Sequence, residues 1–263
     1  RIFPHCQALY IQLGLLYYND NQPEKALAAY KQVISNYPGS EEAKIALQDL
    51  KSVYIDLNDI NAYASYVNSI GGNIRLEVGE QDSLTYIAAE KLFMRGDNDG
   101  ARRSLINYLQ TFPEGAFSSN ANFYLGSIAF AKKEFDEAIQ RFKSVIASGD
   151  TKFLEESVAR TAEIEYLSKD YPAALESFKR LQIVAENPEN RQAARLGIMR
   201  CALQTGQQKD ALLAADELLK EPKLSPELEA EARYVRAKAY IAQKQANKAL
   251  ADLKELSKDT RTV

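Results

Sequence analysis

One histidine, His5, stands beside Cys6, one of two cysteines. A thiol next to an imidazole could serve as a nucleophile–base pair or as two metal ligands. Neighbours in sequence seldom converge on one reacting atom, however, and neither a second histidine nor a metal-spaced cysteine accompanies them. The pair therefore reads as a solvated start of the chain, and no catalytic residue, metal site or cofactor is expected. Gly71, Gly72 and Gly79 lie in the linker Ser69–Ser83. A phosphate-cradling loop would need Gly-x4-Gly-Lys-Ser/Thr after a strand, and both are missing, so an elongated turn is expected. Carboxylates are plentiful but dispersed. Glu163 and Glu165, two apart on a predicted helix, point to different faces and read as surface groups.

The composition agrees with this absence of chemistry. Lys and Arg number 33 against 36 Asp and Glu, a net charge of −3, without the basic excess that phosphate neutralisation demands of a nucleic-acid binder. Two distant cysteines exclude a disulfide-rich scaffold. The longest uncharged apolar runs, such as Phe123–Ala131, fall well short of the roughly 20 residues a membrane-spanning helix needs. Only 12 Gly and 8 Pro in 263 residues argue against a turn-rich all-β fold, while 46% hydrophobic residues supply a core.

The positioning elements appear as internal repeats. After Tyr10-Ile11-Gln12-Leu13-Gly14-Leu15-Leu16-Tyr17 come Ala26, Tyr30, Val33 and Pro38; after Phe123-Tyr124-Leu125-Gly126 come Ala138, Phe142 and Val145. The same frame returns at Ala89/Ala101, Ala162/Ala174, Met199/Ala211 and Ala237/Ala249, with a degenerate copy whose crossing position is Ala62 or Tyr63. With Ala62 the anchors fall at 26, 62, 101, 138, 174, 211 and 249, a period near 37. Each copy carries apolar residues at three- and four-residue steps, which predicts two amphipathic helices. Starts such as Ser40-Glu41-Glu42 and Ser225-Pro226-Glu227 combine a capping hydroxyl with early acids or Pro. Turns are expected at Asn19–Gln22, Gly96–Gly100, Lys132–Glu134, Lys169–Tyr171 and Gly206–Gln208. Small residues at Gly14, Gly126, Ala162, Ala237 and at Ala26, Ala138, Ala174, Ala249 would let paired helices approach to about 8–10 Å.

This frame resembles the tetratricopeptide repeat: an aromatic, Leu-Gly and an aromatic on the first helix, then Ala, an aromatic, Ala and Pro on the second. Tyr10, Leu13, Gly14, Tyr17, Ala26, Tyr30 and Pro38 match it, with Val33 for the last Ala and Tyr for the usual Trp. The resemblance implies an all-α, right-handed superhelical α-solenoid of about seven helix–turn–helix repeats in a single array. Their approximate spans are 7–40, 41–74, 82–115, 119–152, 155–188, 192–225 and 230–263, with 1–6 as the tail of a missing preceding repeat in a longer array. Asn36-Tyr37-Pro38-Gly39-Ser40-Glu41 and Thr111-Phe112-Pro113-Glu114-Gly115 look like bacterial envelope members, among them the Tol–Pal-associated cell-division coordinator and the lipoprotein of the β-barrel assembly machinery. That likeness favours a periplasmic or envelope-associated setting.

In the family the first helices line the concave side. Counting three before and four after each crossing position gives Ile11 and Tyr18, Tyr86 and Phe93, Phe123 and Phe130, Ala159 and Tyr166, Leu196 and Leu203, Tyr234 and Ile241. Glu90, Glu163, Arg200 and Lys238 flank them. Such side chains either pack between neighbouring first helices as core or form an apolar groove for an extended peptide or helix. The concave-face candidates are Tyr18, Tyr86, Phe93, Phe123, Phe130, Glu163, Tyr166, Arg200, Tyr234 and Lys238. Members that grip a C-terminal carboxylate use Lys and Asn where this chain has Ile11 and Leu15, so that activity is not expected. The expectation is a non-enzymatic scaffold for a protein or peptide partner, without nucleic acid or a membrane span. The alternative is a structural spacer or oligomerisation arm that uses the array ends for a homo-oligomer.

Overall fold

The computed structural model describes residues 6–71, 74–149 and 151–258. His5 and Gly72 lie outside them. Among the described residues there are fourteen α-helices and no strand. They are α1 (Cys6–Asn19), α2 (Pro23–Asn36), α3 (Glu41–Asp56), α4 (Ile60–Ile70), α5 (Val78–Met94), α6 (Asn98–Thr111) and α7 (Ser118–Ala131). Then come α8 (Phe135–Ser148), α9 (Leu154–Leu167), α10 (Tyr171–Val184), α11 (Pro188–Gln204), α12 (Gln208–Leu219), α13 (Pro226–Ala242) and α14 (Ala246–Ser257). The chain divides into two compact units, Arg1–Leu125 and Gly126–Val263, with the boundary inside α7. The fold class is the all-α solenoid built from helical pairs.

One backbone device makes every pair. A left-handed residue, at Asn21, Asn58, Gly96, Lys133, Lys169, Gly206 and Lys244, directly precedes the N-cap of each even-numbered helix. The next N–H reaches back five residues to a carbonyl of the preceding helix. Gln22→Tyr17, Asp59→Tyr54, Asp97→Leu92, Glu134→Ala129, Asp170→Glu165, Gln207→Ala202 and Gln245→Tyr240 all lie at 2.8–3.0 Å. This is the six-to-one bond of the Schellman motif, which ends one helix and aims the chain into the next. Asp59, Asp97 and Asp170 then cap α4, α6 and α10 by accepting from Ala62, Gly100 and Ala173 N–H at 3.1, 2.9 and 3.2 Å. Between pairs, Ser40 and Ser225 cap α3 and α13 as their sequence signals predict.

These turns correct three details of the sequence reading. Four residues after each cap, an N–H bonds back to the cap carbonyl, and the residue there is Ala26, Tyr63, Ala101, Ala138, Ala174, Ala211 or Ala249. The crossing position of the second pair is therefore Tyr63, 4% exposed, and not the half-buried Ala62. Tyr63 fills the gap against Tyr54, with ring centroids 6.0 Å apart. Gly100 is not turn but the third residue of α6, and Gly79 belongs to the first turn of α5 rather than to the linker.

Packing explains the small residues. A Cβ on Gly14 would lie 2.5 Å from Tyr30 Cε1, and one on Gly126 would lie 2.8 Å from Phe142 Cε1. The glycine on one helix is the socket for the aromatic on the other. In the first unit Tyr30, Leu50, Val53, Tyr63 and Leu84 form the core; in the second Ala162, Ala174, Leu181, Met199 and Leu218 do. Leu50, Leu181 and Met199 are at most 1% exposed. Burying one such side chain contributes roughly 1.5–3 kcal/mol.

Candidate functional site

In the second unit α10 packs against both α9 and α11, and α9 also touches α11. The space left between these two first helices is a cleft of about 360 Å³. Ala159 and Tyr166 enter it from α9, Ala193, Leu196 and Gly197 from α11, and Phe178 and Leu181 of α10 form its floor. Helical spacing puts them there: Glu156, Ala159, Glu163 and Tyr166 follow one face of α9, and Asn190, Ala193, Gly197 and Arg200 one face of α11. Gly197 brings the floor close, since Phe178 ring carbons lie 2.4 Å from where its Cβ would be.

The rim is charged, and its charges are ion-paired in place. Arg160 Nε donates to Glu156 Oε1 at 2.9 Å and Nη1 to Glu163 Oε2 at 2.8 Å. Its guanidinium lies 4.9 Å from the ring centroid of Phe130. Arg200 Nε and Nη2 each donate to the Glu231 carboxylate of α13 at 2.7 Å, a bidentate pair. Those bonds first, and the nearby Tyr166 last, hold the Arg200 guanidinium above its ordinary pKa despite partial desolvation. The result is an apolar slot between the Glu156–Arg160–Glu163 triad, which carries one net negative charge, and the neutral Arg200–Glu231 pair. It can take up an apolar side chain and offer polar contacts at its edge; it lacks a free acid, base or nucleophile aimed into it.

The predicted groove residues divide accordingly. Glu163, Tyr166 and Arg200, with Ala159 and Leu196 from the same counting, meet in this cleft. Phe130 sits beneath Arg160, next to Phe135. Tyr234 is half exposed on α13 with Lys238 Nζ 5.5 Å over its ring, apart from the cleft lining. In the first unit Tyr18 donates its hydroxyl to Asp56, which also pairs with Lys91 at 2.8 Å and Arg95 at 2.9 Å. Phe93 packs on Tyr124 at 4.7 Å and Phe123 on Tyr124 at 5.7 Å.

Tyr86 is not groove surface. It is 2% exposed, stacked on Phe117 at 4.5 Å with an interplanar angle of 1°. Its hydroxyl donates to Glu90 at 2.7 Å and accepts from Asn120 at 3.2 Å. Burial and the Glu90 carboxylate drive this phenol far above its usual pKa. Position in the helical frame was right; what covers that position is a loop aromatic that the frame does not contain.

Sequence reasoning missed Arg160, Asn190, Phe178 and Gly197. The Glu156–Arg160 spacing of four is a legible ion-pair signal, whereas Gly197 was hidden because the frame places its crossing residue at Met199. It also missed Asp82, a buried carboxylate that accepts from Tyr108 Oη at 2.6 Å and from Ala116 N–H at 2.9 Å, tying the entry of α7 to α5. Glu163 and Glu165 do face apart, but Glu165 is not the surface group expected: it is 6% exposed, accepts from Ser177 Oγ at 2.5 Å and pairs with Lys143 at 3.1 Å, packed against the neighbouring helices on the side away from the cleft. Among the described residues no group of three or more metal-ligating side chains converges, and no helix is long and apolar enough to cross a membrane.

Paired helices with a small-residue socket, a Schellman turn and an interhelical cleft define a helical-repeat protein. Residues 8–40 and 88–151 match models of the tetratricopeptide repeat, so the chain carries tetratricopeptide repeats there. No curated protein matches it. Similar solved structures include MamA at 17% identity and a TM-score of 0.46, covering 70% of this chain and 94% of that one. Another is the C-terminal part of a repeat-containing protein from Cytophaga hutchinsonii, at 14% identity and 0.49, covering 95% and 97%. A third is PilW, a type IV pilus biogenesis factor, at 15% identity and 0.43, covering 85% and 96%.

Proposed function

We propose that the chain is a non-enzymatic scaffold that holds a peptide or helix of a partner protein, and that the cleft between α9 and α11 receives an apolar anchor side chain of that partner. Tetratricopeptide repeats are protein–protein interaction modules, and the observation that carries the reading here is the cleft itself. Its apolar floor is large enough for an aliphatic or aromatic side chain, and its rim charges already have partners, so a ligand that covers them leaves none of them unpaired. Buried anchors of this kind supply most of the energy in peptide recognition. The two envelope-like phrases around Pro38 and Pro113 favour an envelope setting within the same proposal.

The test is selection of peptides from a displayed random library on the immobilised chain, followed by titration against Leu196→Gln and Ala159→Gln. Selected peptides should share an aliphatic or aromatic residue. Each substitution should remove about 2 kcal/mol of binding, about thirtyfold in Kd. Peptides that bind both variants as tightly as the unaltered chain would refute the cleft as the site.

A further inference from the structure

The second helix pair breaks the repeat in two places, and both breaks line one cavity. Its crossing position holds Tyr63, where the other six pairs hold alanine. After it, α4 ends at Ile70 and α5 begins only at Val78, the widest gap between consecutive helices. From that gap Ile74, Arg75 and Leu76 join side chains of α3 and α4 around a cavity of about 220 Å³. Leu76 packs on the core of the first unit, and its N–H donates to Asn68 Oδ1 at 3.4 Å.

The cavity sets an apolar floor beside a cluster of hydrogen-bond donors. Leu47, Val67, Ile74 and Leu76 supply the apolar part, and Lys51, Tyr63 and Arg75 the donors. Tyr63 is only 4% exposed, yet its hydroxyl makes no hydrogen bond to any described residue. A buried hydroxyl is rarely left so, because desolvation without a partner is unfavourable. Burial first, and the Glu80 carboxylate second, push this phenol up to about 12, so it stays a neutral donor. Lys44 lies 2.7 Å from Glu41 and Lys51 lies 3.6 Å from Glu80. The second separation is too long for a hydrogen bond, so the Lys51 ammonium keeps its donors for another acceptor. Arg75 forms no ion pair with any described residue. The cavity thus carries a guanidinium, an ammonium and a phenol that lack an acceptor, next to one carboxylate.

We propose that this cavity binds a small organic acid, with an aryl or short alkyl group on the apolar floor and its carboxylate held by Arg75, Lys51 and the Tyr63 hydroxyl. A carboxylate is acceptor-only and takes bonds from all three, including two parallel ones from a guanidinium. An amide of the same shape would set its own donors against these donors. An anion without an apolar body would leave Leu47 and Val67 uncovered. The volume is that of one ring or short chain rather than of a peptide segment. The site lies in the first unit and does not use the α9–α11 cleft, so it stands or falls independently of the proposed peptide site.

The experiment is titration of the 263-residue chain with 3-phenylpropionate, hexanoate, 3-phenylpropanamide and acetate, read from amide NMR signals. Ligands of this size bind with Kd of about a millimolar. Both apolar acids should shift signals of α3, α4 and residues 74–76 saturably. The amide and acetate should bind at least about tenfold more weakly. Arg75→Gln and Tyr63→Phe should each weaken phenylpropionate about tenfold. Tyr63→Phe keeps the ring and removes a hydroxyl that bonds nothing in the fold, and circular dichroism checks that each variant keeps its helices. Glu80→Gln removes the competing carboxylate and should tighten binding about threefold, a change that a purely structural role would not produce. No saturable shift at these residues up to about 10 mM, ten times the expected Kd, overturns the proposal. So does an amide that binds as tightly as the acid, or phenylpropionate binding that Arg75→Gln and Tyr63→Phe leave unchanged.

Discussion

Replacing Gly197 with alanine tests the socket that shapes the candidate cleft. The new Cβ would lie 2.4 Å from Phe178 Cγ and Cδ2 and 2.5 Å from Cδ1. Carbon atoms in contact sit at about 3.5–4.0 Å, so α10 and α11 must part by about an ångström or the ring must leave. Rotation about the Cβ–Cγ bond does not help, because Cγ lies on the axis and stays where it is. Overpacking of this kind costs about 1–3 kcal/mol, while alanine gains about 1 kcal/mol over glycine in helix propensity. The net destabilisation is thus about 0–2 kcal/mol in the unaltered background. The informative comparison is with Phe178→Ala, where the steric part is gone and the propensity part remains. There Gly197→Ala should stabilise by about 1 kcal/mol, giving a coupling of about 1–3 kcal/mol between the two sites. Urea unfolding supplies the energies. Amide exchange of α10 and α11 is read beside it, because repeat arrays open in parts rather than all at once. An equal effect of Gly197→Ala in both backgrounds would refute the socket.

Two further outcomes are expected. Asp252, with a side chain 2% exposed, accepts from Arg236 at 2.6 and 2.7 Å and from Arg233 at 3.2 Å. Asp252→Asn removes the anion the two guanidinium groups share and leaves Arg236 with Asp216 and Arg233 with Glu229, each at 2.8 Å. Breaking a buried pair costs about 3–5 kcal/mol; with the arginine side chains 27% and 22% exposed about 1–3 kcal/mol is expected. It should appear as faster amide exchange in α13 and α14, and unchanged exchange there would contradict the assignment. Alkaline pH should also unfold the chain through its buried phenols. Burial first, and the Asp49 and Glu80 carboxylates second, push Tyr30 and Tyr63 up to about 12, and Tyr86 and Tyr108 are displaced in the same direction. A raised folded-state pKa means stability that is complete below the unfolded value near 10 and lost as pH climbs towards the folded ones, by up to about 1.4 kcal/mol per phenol per pH unit. Tyrosinate absorbance should therefore rise together with loss of helical circular dichroism; ionisation of these four phenols in a still-folded chain would count against it.

Much of the fold was legible because it is local. A helix pair needs only its apolar stripe, a small residue at the crossing and a turn, and each leaves a mark at fixed spacing: Gly14 with Ala26, Gly126 with Ala138, Ala162 with Ala174. Part of the candidate site followed from the same counting, since Ala159, Glu163, Tyr166, Leu196 and Arg200 hold equivalent positions on successive first helices and meet in one cleft. The sequence by itself thus determined the helices, their pairing and the stripe from which a binding face would come.

Tertiary structure decided which members of that stripe stay open. Tyr86, three before its crossing position, and Tyr166, four after, lie on the same predicted face, yet Phe117 covers the first, while Tyr166, edge-on to Tyr171 and Phe178, lines the cleft. Likewise Tyr63 rather than Ala62 occupies the crossing position, because the left-handed turn at Asn58 sets the phase of α4. Periodicity fixes the direction in which a side chain leaves its own helix; whether it meets solvent depends on loops and neighbouring helices whose contribution has no fixed spacing along the chain.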